Sequence, residues 1–329
     1  MFNSLSSFWD RLTPKFLCYA VAFFGALFLA TLEVDGYVDR DNYLTYASAS
    51  LVILIRYFSE SVVTTVFNEP LWLLVNVVLS LFFSPESVLK IVIFFSSFVT
   101  SYAVLSHVEF KNVILVVLFL TLPLVLKNNI IHIRQGLAVS VFLCGWFSGK
   151  GWFKYSLFLF AALIHSSFVL IVVGIISINS MYYLRLSSGV RNILYIIVGL
   201  AVGLGVVFAA NYLGARQAGG YQSVVAGGSG LGFVFWGGVL SFFLVHGRSF
   251  LNRHPYAVFF VILYLSTYFF LPFSARILES VMMVILLATL DFRPKLKLLF
   301  ILYYLIFYVL LWSGRVGMAG FGWGVENYI

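Results

Sequence analysis

The chain has 329 residues, of which 62% are hydrophobic and only 10% are charged. Soluble domains carry about 25% charged residues, so this composition excludes a water-soluble globular protein and predicts an integral membrane protein. The formal net charge of +8 indicates basic cytoplasmic loops that attract anionic lipid rather than a surface for nucleic acid.

Long apolar runs set the fold class. Stretches such as "VILVVLFLTLPLVL" and "LKLLFILYYLIFYVLLW" approach the roughly twenty residues that a helix needs to cross the hydrocarbon. Strands of a membrane barrel would instead alternate apolar and polar residues. We therefore predict an all-α fold, a polytopic transmembrane helical bundle of about 11 spans, with residues 1–329 forming a single integral membrane domain. Cys18 and Cys144 lie inside apolar runs, which argues against a disulfide framework.

The first span is predicted at 16–32, after Arg11 and Lys15 and before "EVDGYVDRDNY". Basic residues before it and acidic residues after it predict a cytoplasmic N-terminus and an external loop at about 33–46. The segment 48–64 fits either a surface helix or a re-entrant piece. Further spans are predicted at 71–83, 88–105, 113–126, 130–147, 155–178, 193–210, 231–245, 257–271, 277–290 and 296–312. The run 155–178 is interrupted at His165, so it fits one tilted helix or two short ones.

The second half of the chain has a consistent orientation. Alternating crossings place the basic stretches "YYLRLSSGVR", "HGRSFLNRH" and "DFRPKLK" on the cytoplasmic side. The loop at about 211–230 and the tail from Ser313 then lie outside. In the first half the side of Arg134 depends on whether 48–64 and the break at His165 add crossings, and loop charge does not decide it.

Arg134 and Gln135 open a predicted span in "IHIRQGLA". A charge at the centre of a bilayer costs about 2.5–3.5 kcal/mol, so buried arginines usually face a partner or a wet cavity. The forked guanidinium of Arg134 suits phosphate oxygens, with Gln135 adding neutral hydrogen bonds and His132 beside them as a substrate contact. The alternative is an arginine whose side chain extends to the membrane interface from a helix end.

Histidine and carboxylate side chains supply candidate acids and bases. His165 would carry a proton, bond a ligand, or cap a helix break, and no second ligand stands at metal spacing from it, so we predict no metal site. Glu69 precedes Pro70, where a carboxylate suits the positive end of a helix dipole. Asp39 belongs to an acidic-aromatic cluster with Asp41 and Tyr43. Such external carboxylates act as a general base or are simply solvated.

Two further stretches contain candidate contacts for an anion or a sugar. Arg276 and Glu279 are three residues apart and share one helical face, so they neutralise each other or leave Arg276 aimed at an anion. The Gly-rich loop from Gly214 to Gly232 carries Arg216 and Tyr221. It fits either a lid over a sugar chain or a connector. Its "GGSGLG" lacks the Lys-Ser or Lys-Thr of a phosphate loop.

The order of these motifs resembles the EpsG/Wzy-type polysaccharide polymerases. "IRQGLA" opens a span, a short Gly/Lys turn follows, and the next span contains His-Ser; the matching positions are Arg134, Gln135, Ala138, Lys150, His165 and Ser166. "VDRDNYLTY", "NEPLWLLVN" and "FSARI" are similar to the family's acidic-then-tyrosine loop, its Glu-Pro helix start and a late arginine. The family's loop commonly reads Gly-Thr-Asp, whereas this chain has "VDRD" there.

The resemblance implies a GT-C-like multi-pass enzyme of the bacterial cytoplasmic (inner) membrane. On the outer face it would transfer a growing glycan from undecaprenyl diphosphate to the next lipid-linked repeat unit, without a cofactor. The implied partners are the undecaprenyl-diphosphate-linked oligosaccharide, membrane lipid and a chain-length regulator protein, and no nucleic acid. The expected catalytic residues are Arg134, Gln135, His165, Glu69 and Asp39. The expected substrate-binding residues are Arg276, Arg216, Tyr43, Tyr221 and His132.

Other classes of membrane protein remain open at this point. A repeat-unit flippase or transporter binds the same ligand without making a bond, but usually has pseudo-symmetric halves, and the sequence has no internal repeat. A ligase of the O-antigen type would transfer the finished chain to another acceptor. An acyltransferase would need a His-Asp type pair, and no acid follows His165.

Overall fold

The computed structural model describes residues 2–149, 151–212, 230–269, 271 and 273–325. Every regular element in these residues is helical, apart from one isolated antiparallel bridge between Tyr37 and Gly324. The predicted all-α class is therefore confirmed. The chain forms two compact units. Unit 1 comprises Met1–Leu54, Leu71–His165 and Arg315–Ile329, and unit 2 comprises Ile55–Pro70 and Ser166–Gly314.

The helices follow one another with short connections. In chain order they are α1 Phe2–Thr31, α2 Arg40–Glu60, α3 Val62–Phe67, α4 Pro70–Ser80, α5 Pro85–Leu105, α6 Val113–Leu120, α7 Pro123–Ile130, α8 Ile133–Phe147, α9 Gly151–Ile164, α10 Ser167–Tyr183, α11 Ser188–Tyr212, α12 Leu231–His246, α13 Arg248–Arg253, α14 Pro255–Thr267, α15 Ser274–Ala288 and α16 Pro294–Ser313.

Several helices are apolar enough to cross a membrane, as a membrane protein requires. Among the described residues, three pass by both length and composition: α5, Ser188–Gly205 within α11, and α16. The bent pair Phe110–Leu120 and Pro123–Ile130 would make a fourth span. The other apolar stretches, which include Lys15–Thr31 within the longer α1, have 10–17 residues. A helix of 15 residues rises about 22 Å, which is less than the roughly 30 Å of hydrocarbon.

Two predicted spans are broken in the structure. The run 113–126 bends by 65° between α6 and α7. Leu122 is extended there because the following Pro123 disfavours the helical region for the residue before it. The run 155–178 forms two helices, α9 and α10, so the second of the two alternatives for this segment is correct. His165 lies in the break between them.

The ambiguous segment 48–64 also contains a helix break. It falls on α2 and α3, and Ser61 between these helices is extended. The Ser61 hydroxyl accepts a hydrogen bond from the Thr64 backbone N–H at 2.9 Å, which makes it the N-cap of α3. Residues 40–46, predicted as loop, form the first turns of α2.

In unit 1, α5 packs against α1 and α8, and α8 packs against α9. The buried face of α5 carries the small polar residues Ser96, Ser97 and Thr100, which allow helices to approach closely. The segment after α16 returns to the loop after α1. The Val38 N–H donates to the Trp323 carbonyl at 2.9 Å and the Val325 N–H to the Gly36 carbonyl at 3.1 Å. The loop after α1 and the tail after α16, both predicted to lie outside the membrane, are therefore in contact with each other.

In unit 2 the three basic stretches lie at one end of the helices. The Tyr182 hydroxyl donates to the Asn252 carbonyl at 3.2 Å, and His254 Nε2 lies 3.0 Å from Asp291 Oδ2. The prediction that these stretches share one side agrees with these contacts. Further along these helices, α11 packs closely on α14. A Cβ at Gly199 would lie 1.9 Å from Ser266 Oγ, so this approach requires glycine.

Candidate anion site and carboxylate site

The "IRQGLA" motif begins directly after the break between α7 and α8. Both the Ile131 and His132 N–H groups donate to the Lys127 carbonyl at 3.0 Å, which closes α7. The chain then turns at His132, and α8 begins with Ile133. Arg134 and Gln135 consequently stand in the first turn of a helix that starts beside the end of another helix.

Gly136 sets how closely these two helix ends meet. A Cβ at this position would lie 2.3 Å from the Asn128 carbonyl oxygen and 2.9 Å from Asn129 Oδ1. Any larger residue would therefore force α8 away from α7. Asn129 also binds α5, because Ser96 Oγ donates to Asn129 Oδ1 at 3.4 Å. The motif glycine thus keeps α5, α7 and α8 together under Arg134.

Arg134 is half-buried and lies over two buried tyrosines of α2. Its Cζ atom is 5.3 Å from the ring centroid of Tyr46 and 5.9 Å from that of Tyr43. Both rings make edge contacts with Trp72, at 6.2 and 5.7 Å between centroids. Gln135, in the same turn, is buried. The guanidinium is therefore held against aromatic rings within unit 1.

Arg40 is a second guanidinium in this region, and sequence reasoning missed it. Its side chain is 0% exposed. Nε donates to the Ile130 carbonyl at 3.0 Å, and Nη1 donates to the carbonyls of Glu33 at 2.7 Å and Leu32 at 3.2 Å. The guanidinium also lies 4.4 Å from the ring centroid of Tyr37. Arg40 therefore joins the end of α1, the start of α2 and the end of α7.

Arg40 remains positively charged although its side chain is buried. Desolvation lowers the pKa of its guanidinium to about 10, so it remains protonated at neutral pH. Tyr43, one turn further along α2, faces Arg134. One guanidinium thus lies one turn before this buried tyrosine and the other lies over its ring. This arrangement suits an anion that can bring negative charge into low-dielectric surroundings.

The acidic-aromatic cluster divides in the structure. Asp39 is exposed and has a φ of 65°, whereas Tyr43 is buried beside Arg134. His132 is half-buried at the start of α8. The structure therefore brings Tyr43 together with Arg134 and Gln135 and leaves the Asp39 carboxylate in solvent.

In unit 2 the buried Glu69 carboxylate lies at the N-terminus of α10. Its Oε1 atom accepts hydrogen bonds from the Ser166 backbone N–H at 3.3 Å and the Ser166 hydroxyl at 3.5 Å. The sequence predicted a favourable helix dipole at the helix that Pro70 starts, whereas the observed contact is with α10. Glu69 also has a φ of 60°. Such conformations cost about 1–3 kcal/mol and recur at functional sites.

The second turn of α15 lies near the start of α10 in the same unit. Ser167 Oγ and Ser280 Oγ are 3.2 Å apart, and the Ser280 hydroxyl donates to the Arg276 carbonyl at 2.9 Å. Arg276 is exposed and Glu279 is buried, so the two charges share a helix but differ in exposure.

His165 and the Gly-rich loop complete the predicted residues. His165 is buried, and its N–H donates to the Ala161 carbonyl at 2.9 Å at the end of α9, as expected for a residue at a helix break. Arg216, Tyr221 and Lys150 lie outside the described residues.

The comparison with known proteins is negative. No family model, curated protein or solved structure matches the chain. In the part of the chain that the structure describes, no three His, Cys, Asp or Glu side chains are grouped to hold a metal ion. The clusters around Arg134 and Glu69 are the candidate sites in the described residues.

Proposed function

We propose that this protein is a polysaccharide polymerase that uses lipid-linked donors. It transfers a growing glycan from undecaprenyl diphosphate to the next lipid-linked repeat unit on the outer face of the bacterial inner membrane. The proposal includes a GT-C-like bundle of about 11 crossings with a cytoplasmic N-terminus. One observation carries it: the Arg134 guanidinium is held half-buried over Tyr43 and Tyr46. The motif order that resembles EpsG/Wzy-type polymerases supports it.

Departure of the carrier requires stabilisation of negative charge. The bond between the anomeric carbon and the phosphate oxygen breaks, and the diphosphate keeps the electron pair. The forked guanidinium of Arg134 binds two oxygens of that group and becomes more favourable as charge develops. Gln135 adds a neutral hydrogen bond, and Arg276 and Arg216 assist. His132, Tyr43 and Tyr221 contact the substrate.

Attack by the acceptor requires a base. An acceptor sugar hydroxyl forms the new bond to the anomeric carbon, its proton passes to a carboxylate or imidazole, and undecaprenyl diphosphate leaves. Glu69, Asp39 and His165 are the candidates. The Glu69 carboxylate is held in place by hydrogen bonds from Ser166, whereas Asp39 is exposed, so Glu69 is the better ordered of the two carboxylates.

Substitution of Arg134 tests the proposal in a strain whose surface polymer depends on this gene. Arg134→Ala removes the charge, and Arg134→Lys keeps it without the fork, so both should shorten the polymer, Ala more than Lys. Loss of one such donor typically lowers a rate about 100- to 1000-fold. Polymer length on gels at matched protein level is the measurement. Arg56→Ala, at an exposed arginine, is the control. Full-length polymer with Arg134→Ala contradicts the proposal.

Deletion of the gene separates polymerase from flippase. Without a polymerase, single repeat units still reach the cell surface, whereas without a flippase none do. Surface glycan from the deletion strain, analysed by size, should contain single units. Their complete absence would favour the transporter.

A further inference from the structure

One face of α2 carries a buried polar and aromatic stripe. Arg40, Tyr43, Tyr46 and Ser50 follow each other at spacings of three and four residues, so their side chains share this face. All four are buried, while residues such as Thr45 and Val52 on the opposite face are exposed. The stripe therefore faces the interior of unit 1.

Three hydrogen-bond donors along this stripe have no acceptor. Arg40 Nη2, Ser50 Oγ and Trp72 Nε1 are buried, yet none finds a hydrogen-bond partner within the described parts of the chain. Arg40, Ser50 and Trp72 are 0%, 2% and 1% exposed. Each unmet buried donor costs about 1–3 kcal/mol, and native proteins pair about 90% or more of buried polar groups.

Two of the three donors, those of Ser50 and Trp72, adjoin one aromatic group. Trp72 touches both Tyr43 and Tyr46, Ser50 lies one turn after Tyr46, and Arg40 one turn before Tyr43. Ser50 and Trp72 thus both adjoin Tyr46, so one polar molecule with several acceptor oxygens would satisfy these two donors together, whereas Arg40 lies about 15 Å before Ser50 along the helix.

We propose that this stripe of α2 and Trp72 form a subsite for a sugar ring of the lipid-linked glycan. A pyranose has apolar C–H faces, which suit the aromatic rings, and hydroxyl oxygens, which accept from the indole N–H and the serine hydroxyl. Sites of this kind combine aromatic walls with a few placed polar groups. Arg134 contacts the same tyrosines, so a diphosphate there would hold its attached sugar at this stripe. The inference rests on the proposed function.

Removing an unmet donor should have opposite effects on stability and binding. Ser50→Ala deletes one hydroxyl almost without change of shape, so the ligand-free protein should keep or gain thermal stability. Its affinity for a sugar that used this donor should fall about three- to tenfold. Replacing Trp72 by benzothienylalanine removes only the indole N–H and should act in the same way. Ser48→Ala is the matched control, because Ser48 is exposed and bonds the Leu44 carbonyl.

Binding to purified full-length protein is measured with two kinds of probe. One is farnesyl diphosphate, and the other is a panel of farnesyl-diphosphate-linked glucose, galactose, N-acetylglucosamine and N-acetylgalactosamine. At least one sugar-bearing probe should bind more tightly than farnesyl diphosphate. Ser50→Ala and the Trp72 analogue should reduce that advantage and leave farnesyl diphosphate binding unchanged. Arg134→Ala should weaken both.

The outcomes separate the two claims. If no sugar-bearing probe binds more tightly than farnesyl diphosphate, or the two variants weaken all probes equally, the subsite is overturned. A lower thermal stability of both variants also overturns it, since the donors would then be satisfied by water in the empty protein. If farnesyl diphosphate itself does not bind, or binds Arg134→Ala equally well, the proposed function fails.

Discussion

Arg40 is a buried cation whose hydrogen-bond acceptors are backbone carbonyl groups rather than a carboxylate. Its three hydrogen bonds reach the end of α1 and the carbonyl of Ile130, four residues before Arg134. Hydrogen bonds to charged groups are the stronger ones, about 1.5–3 kcal/mol each. Arg40 therefore fixes the break between α7 and α8, and through it the start of the helix that carries Arg134.

Substitution of Arg40 should affect Arg134 without touching substrate chemistry. Lysine offers one ammonium on a flexible stem and cannot reproduce the fork, so Arg40→Lys should lower the thermal midpoint and shorten the polymer. Arg40→Ala should do so more severely. Thermal unfolding of the purified protein and polymer length together are the measurements, with Arg56→Lys as control. An unchanged midpoint in Arg40→Ala would mean that the three carbonyls do not depend on this side chain.

Individual residues were predictable where their chemistry stands out in an apolar run. Arg134 and Tyr43 were candidates from sequence, and the structure brings them together. Arg40 was not, because two aspartates beside it suggested solvent, although its spacing to Tyr43 and Ser50 fits one helical face. The unmet donor of Trp72 has no sequence signal at all, since its neighbours come from tertiary structure.

Helix ends are where the elements depart from prediction. Apolar composition predicts helices but does not show where each one stops, and proline is tolerated inside apolar helices. Thus 113–126 read as one span although it contains Pro123, which starts α7. The break at His165 left two alternatives for the same reason. The close approach at Gly136 depends on the tertiary position of Asn128, which spacing in the sequence does not reveal.

Gly136→Ala tests that approach at the scale of two helices. Alanine is the better helix former by up to about 1 kcal/mol, yet its Cβ would meet the Asn128 carbonyl. Overpacking of this kind costs about 1–3 kcal/mol, so the thermal midpoint should fall. Gly25→Ala in α1 is the matched control, because nothing lies within 4 Å of an added Cβ there, and it should hold or raise the midpoint. Equal midpoints for the two variants would contradict the close packing.

At the scale of the whole molecule, basic residues are concentrated at one end of unit 2. The three basic stretches at one end of unit 2 contain one acidic residue, Asp291, which pairs with His254 and Arg253. Burial lowers the pKa of His254, and Asp291 acts against that shift. Exposed cations at this end are Arg185, Arg248, Arg253, Arg293 and Lys295. Each such charge near an anionic membrane surface is worth about 1 kcal/mol.

Anionic lipid should therefore stabilise the protein through this end. In nanodiscs, phosphatidylglycerol mixed with phosphatidylcholine should raise the thermal midpoint over phosphatidylcholine alone, and salt should diminish the rise. Changing the five exposed cations of this end to glutamine should abolish it. The same change at Lys90 and Lys111, which are exposed elsewhere, should not. A rise that survives the fivefold change would place the lipid contact on another surface.

The return of the segment after α16 to the loop after α1 has a consequence for biogenesis. Trp323 and Val325 bond Val38 and Gly36, yet the ribosome makes them only after all of unit 2. During synthesis the Val38 N–H and the Gly36 carbonyl therefore lack these partners until nearly the whole polypeptide has been translated. A nascent chain that stalls or terminates early thus never closes this contact, and proteolysis can separate unfinished from finished molecules.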